Sequence, residues 1–121
     1  MKQKKVDILG TTYTIRFDLD YKKHKSLDSS HGLCDYYLKQ IKLVKCSCEN
    51  ADNKNDKKNI LDRHQKHVLR HEIIHAFLHE SGLYEQSNKA DNWSQNEEMV
   101  DWFAIQFPKI QKVYKKLKVE E

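Results

Sequence analysis

The chain has 121 residues, 22 Lys and Arg against 18 Asp and Glu, a net charge of +4, and 38% hydrophobic residues. These values fit one globular domain and argue against a long disordered chain, while a nearly balanced charge gives little support to nucleic-acid binding. No apolar run approaches the roughly 18 residues of a membrane span, so no membrane partner is expected.

The start, Met1-Lys-Gln-Lys-Lys, runs into the mixed segment Val6–Gly10 instead of a signal-peptide apolar core. Three cysteines, an odd number, suit free thiols at Cys34, Cys46 and Cys48 in a reduced compartment, and the expected location is the cytoplasm.

In chain order, Val6–Leu9 and Thr12–Leu19 are β-rich runs separated by Gly10-Thr11, which predicts a hairpin with Tyr13, Ile15 and Phe17 on one face. Leu33–Tyr37 and Ile41–Val44 predict a second extended pair, after a polar loop from Tyr21 to Gly32. Glu49–Asn59 has no large apolar residue and is expected to be a mobile surface loop between a β-rich half, residues 1–48, and a helical half, residues 60–121.

From Asn59, a candidate N-cap, the pattern is helical as far as Ser81, and Gly82 followed by Leu83 predicts a left-handed stop. Val68, Leu69, Ile73, Ile74, Ala76, Phe77 and Leu78 surround this helix, which predicts burial on nearly every side. A second helix is expected to begin between Asp91 and Ser94 and to end at Phe107 before Pro108, with Lys109–Val119 a further short helix. The Lys-rich segments Lys2–Lys5 and Lys109–Lys118 are expected to be solvated faces.

The predicted fold is thus α+β in a single domain spanning residues 1–121. A small twisted antiparallel or mixed sheet packs on the long helix, and the second helix closes a site from the other side.

His71-Glu72-Ile73-Ile74-His75 has the HExxH spacing. On a helix, side chains four residues apart share a face one turn apart, so both imidazoles can reach one Zn2+, and the offset Glu72 can address a water on it. Catalytic zinc usually takes three protein ligands and keeps one position open, so another residue must complete the set. His79 would lie about 12 Å along the axis from His71, at about 1.5 Å per residue, too far for zinc–nitrogen bonds of about 2 Å. The same distance argument removes His64 and His67 as partners of the pair.

A third His at metzincin spacing is absent, because Leu78 and Ser81 stand where that class needs Gly and His. Downstream, Asn96-Glu97-Glu98-Met99-Val100-Asp101 offers acidic residues four apart. With Val100, Phe103, Ala104 and Phe107 as the inward stripe, Glu97 falls near its margin and Glu98 almost opposite. The competing role for Glu97 is a capping box with Ser94, unless Asp91 or Asn92 caps the helix a turn earlier.

HExxH followed by Asn-Glu-x-x-x-Asp resembles the gluzincins, the thermolysin-like metallopeptidases. The resemblance implies a zinc-dependent metallopeptidase with His71, His75 and Glu97 as metal ligands, Glu72 as general base, and Asp101 on the far nitrogen of His71. The stretch from His71 to Phe107 is also similar to the ImmA/IrrE metallopeptidases of phages and bacteria, with Val100 and Asp101 in place of that family's Ala and Asn. This implies a protein or peptide substrate, such as a regulatory protein, bound as an added strand along an edge strand, for which Ile41–Val44 is the candidate. His79, Tyr84 and Tyr114 are candidates for stabilising the oxyanion.

Other classes are a catalytically idle zinc-binding regulator, a metal-free helical interaction protein, and a structural-zinc nucleic-acid module using Cys46, Cys48, His64 and His67. The last set misses the usual finger spacings.

Overall fold

In the computed structural model, residues 2–20, 22–23, 27, 31–45, 52–86, 94 and 96–120 are described. They form an α+β fold with strands β1 (Gln3–Ile8), β2 (Thr11–Leu19), β3 (Gly32–Asp35) and β4 (Gln40–Val44), and helices α1 (Lys54–Glu80), α2 (Leu83–Gln86) and α3 (Glu97–Leu117). The sheet is mixed, in the order β1-β2-β4-β3, with two antiparallel hairpins joined by parallel pairing of β2 with β4. No helix among these residues is long and apolar enough to cross a membrane.

The first hairpin turns at Leu9-Gly10, one residue earlier than expected, because Ile8 pairs with Thr11 and both turn residues have positive φ, 51° and 90°. A two-residue loop of that hand matches the twist of the strands, and Asp7 Oδ1 accepts from the Gly10 amide at 3.1 Å. Tyr13, Ile15, Phe17 and Leu19 are all buried on one side of β2, as period-2 alternation predicts.

Ile41 and Leu43 of β4 and Cys34 of β3 extend this buried surface, and α1 lies across it through Ala76, Val68, Leu69 and Ile73. Each large side chain buried here contributes about 1.5–3 kcal/mol. Pairing on both sides makes Ile41–Val44 an interior strand. The edge strands are β1 and β3, of which β3 packs more extensively on α1, so the expectation that Ile41–Val44 is an edge strand is corrected.

Four helix expectations are also corrected: the start of α1, its burial on every side, the start of α3 and its end before Pro108. α1 starts at Lys54, with Asn53 Oδ1 accepting from the Asp56 amide at 2.9 Å, so most of the expected loop 49–59 is its first turns. An exposed helical turn needs a cap and good helix formers such as Lys, and no apolar residue has to mark it. The helix is not buried on every side either, since Phe77 is 43% exposed. At its other end Gly82 takes the left-handed conformation, φ 85°, as expected.

α3 starts at Glu97 behind an Asn96 cap and runs straight through Pro108 to Leu117. Proline removes the amide that would bond the carbonyl four residues back. Here that acceptor, the Ala104 carbonyl, takes Arg70 Nε–H at 2.6 Å instead. The alternative caps Asp91 and Asn92 lie outside the described residues, as do Cys46 and Cys48.

Glu80, in the last turn of α1, joins the helix to both hairpins. Tyr13 Oη and Lys39 Nζ each donate to it at 2.7 Å, and Thr11 Oγ1 does so at 2.9 Å. The Lys39 hydrogen bond chiefly, with those of Tyr13 and Thr11, overcomes partial desolvation and holds the carboxyl at about 2. A depressed carboxyl stabilises the fold above its ordinary pKa of 4.5 and loses that contribution as pH falls toward 2. Thermal melts of Glu80→Gln should therefore show a loss of about 2 kcal/mol at pH 7 that shrinks steadily between about pH 4.5 and pH 2.

Candidate metal centre

His71 and His75 sit one turn apart on α1, facing the first turn of α3, and both are largely shielded from solvent. His71 Nε2 lies 2.9 Å from Glu97 Oε2 and 3.1 Å from His75 Nε2, and His75 Nε2 is 3.1 Å from Glu97 Oε1. Among the described residues this is the only group of three His, Cys, Asp or Glu side chains whose ligand atoms converge, all within 4.8 Å of one another. Neighbouring donors on a tetrahedral zinc with bonds of about 2 Å are about 3.3 Å apart, close to these separations.

Hydrogen bonding to Asp101 fixes which ring nitrogen of His71 faces the cluster. Asp101 Oδ1 lies 3.1 Å from His71 Nδ1 and 2.7 Å from His67 Nε2. A carboxylate only accepts, so each ring presents an N–H to it. With Nδ1 turned to Asp101, His71 Nε2 faces the His75 nitrogen and the Glu97 carboxylate. Lone pairs held this close need a metal ion or an added proton to bind them.

Glu72 is 7% exposed, directly beside His71. Burial pushes its carboxyl up to about 7; Glu97 adds to the rise, while His71 and a hydrogen bond from the Cys34 backbone oppose it. Burial likewise lowers the His75 pKa, with His71 adding and Glu97 opposing. At Asp101 desolvation acts upward, but the hydrogen bonds from His67 and His71 outweigh it and leave the carboxyl low.

Glu97 therefore meets the histidine pair and is not folded back on a capping box. The cap is Asn96, whose Oδ1 accepts from the Met99 amide at 2.8 Å, and Ser94 Oγ donates to the Leu83 carbonyl at 2.9 Å. Glu98 is exposed. His64 lies 2.7 Å from His31, and His67 is committed to Asp101, so both histidines of the alternative finger have other partners.

His79 stacks on Tyr36, with ring centroids 4.3 Å apart, and Tyr84 is tilted against both. The His79 Nδ1 is buried and has no hydrogen-bond partner among the described residues. Tyr114 lies on the exposed end of α3.

Three contributors were not found in the sequence. His67 reaches Asp101 from one turn before the motif, Tyr36 borders the site from the β3–β4 turn, and Gly32 sets the approach of β3. His67 and His71 share a helix face, a signal that was available; the other two depend on the tertiary fold.

No family model matches the chain, and no curated protein or solved structure matches it at a significant level.

A Cβ on Gly32 would stand 2.6 Å from Val68 Cγ1, 3.2 Å from Glu72 Cγ and 3.3 Å from Leu43 Cδ2. Gly32→Ala must displace β3 or the Val68 side chain of α1 beside Glu72. Denaturant unfolding should record a loss of about 1–3 kcal/mol.

Proposed function

We propose that this protein is a zinc-dependent metallopeptidase with a minimal zincin-like site. The observation that carries this reading is the convergence of His71, His75 and Glu97 from two helices, with the buried Glu72 beside them. Zinc held by these three side chains would lower the pKa of a coordinated water to about 7 and polarise the carbonyl under attack.

Glu72 would take a proton from the attacking water on its carboxylate and deliver it to the leaving amine nitrogen. A carboxyl raised to about 7 by burial suits both halves of that transfer near neutral pH. Its hydrogen bond from the Cys34 backbone ties it to β3 and limits its rotation. Asp101 would hold His71 in the tautomer that offers Nε2 to the metal.

An extended peptide would lie along β3, an edge strand among the described residues, adding a strand beside the catalytic helix. The ImmA/IrrE-like spacing makes a regulatory protein of the cytoplasm the favoured substrate class.

Zinc-loaded protein incubated with a mixed peptide library, read by mass spectrometry, should give defined cleavage products. Glu72→Gln should keep its zinc and its melting temperature while turnover falls at least about 100-fold. Zinc bound equally by both proteins, with no cleavage by either, would assign the chain to the idle-regulator class.

A further inference from the structure

We propose that the Tyr36 hydroxyl donates a hydrogen bond to the oxyanion that forms on the attacked carbonyl, and that His79 is the positioning residue that fixes its ring. The inference rests on the peptidase reading and fills a role which that reading leaves without a residue. As water adds, its oxygen bonds to the carbonyl carbon, its proton passes to Glu72, and the π pair of the C=O bond moves onto the carbonyl oxygen. A donor already held where that charge gathers lowers the barrier without having to reorganise.

The path of β3 along α1 brings Tyr36 to the site. A Cβ on Gly32 would touch Val68 and Glu72, and the Cys34 backbone hydrogen-bonds Glu72. Two residues on, just past the end of β3, Tyr36 stacks on His79 with ring centroids 4.3 Å apart and planes 8° from parallel. Strand and helix thus advance together, and His75 lies on α1 between the Cys34 contact at Glu72 and the Tyr36 contact at His79. Tyr84 closes on the Tyr36 ring as well, with centroids 5.0 Å apart and planes tilted by 53°.

The electrostatic surroundings agree with that placement. Burial first, then Cys34, Tyr84, Glu72 and Glu97, push the Tyr36 phenol above its ordinary pKa of 10. A hydroxyl influenced by a carboxylate of α1 and another of α3 lies toward the gap where His71, His75 and Glu97 converge. No hydrogen bond contributes to the shift, and the hydroxyl has no hydrogen-bond partner among the described residues. A phenol keeps its proton at neutral pH and can donate it in a hydrogen bond.

Two of the candidates read from the sequence are placed less well. His79 has its ring face against Tyr36 and its Nδ1 buried. Tyr114 lies about 25 Å along α3 from Glu97, at about 1.5 Å per residue.

The test compares zinc-loaded wild type with Tyr36→Phe, which keeps the ring on His79 and removes only the hydroxyl. Two readings are taken: turnover of a peptide the wild type cleaves, and calorimetric binding of a phosphinic peptide with alanine on each side of its tetrahedral phosphinate. Tyr36→Phe should lower kcat by about 100-fold with KM changed less than about 3-fold, and should weaken phosphinate binding at least about 10-fold, at unchanged zinc content and melting temperature. His79→Ala should lower kcat by about 10-fold, and His79→Phe should restore it. Tyr36→Phe equal to wild type in both readings would overturn the assignment, as would losses of this size in Tyr84→Phe alone. A wild type that binds the phosphinate and cleaves nothing would sink the peptidase reading while the phosphinate still decides on Tyr36. Zinc-loaded wild type that does not bind the phosphinate would overturn the Tyr36 assignment outright.

Discussion

The hydrogen bond from Arg70 Nε–H to the Ala104 carbonyl, 2.6 Å long, joins α1 to α3 where Pro108 leaves that carbonyl without its helical partner. It holds one helix against the other at a fixed register, and the fully buried Val100 and Ala104 allow the close approach. One turn toward the start of α3, that register brings Asp101 to His67 and His71. One turn further it brings Glu97 to His71 and His75. The convergence of three ligand atoms is therefore a consequence of helix packing, set by a defect in α3 that α1 repairs.

The two glutamates of α1 illustrate how position on one helix sets opposite properties. Glu72 faces the sheet beside β3, where burial favours its neutral form and lifts it to about 7. Glu80, two turns on, is met by Lys39, Tyr13 and Thr11 and is held at about 2. One is pushed toward its neutral form, and the other is an anion that fastens the helix to both hairpins. Gly32 maintains the difference, because its missing side chain lets β3 approach α1 closely enough to desolvate Glu72 and to hydrogen-bond it.

The α+β class, the β2 face of Tyr13, Ile15 and Phe17, and the Gly82 helix stop were legible because local pattern determines them. The pairing of His71 with His75 was legible from helical periodicity, whereas Glu97 joined them only through the resemblance to the gluzincin pattern, since it lies on a different helix. The start of α1 was not, because its first turns face water and leave no apolar signature. The continuity of α3 was hidden for a different reason: the group that compensates Pro108 is Arg70, 34 residues before the Ala104 carbonyl it satisfies. Strand order was also beyond a local reading, so β4 passed for an edge when β2 and β3 flank it.

Bound zinc per chain, measured on purified protein by elemental analysis, tests the central claim most directly when His71→Ala and Glu97→Ala are run beside the wild type. The geometry predicts one zinc per wild-type chain, none retained by His71→Ala, and weakened retention by Glu97→Ala. A wild-type chain without zinc, or zinc unaffected by either change, would contradict it.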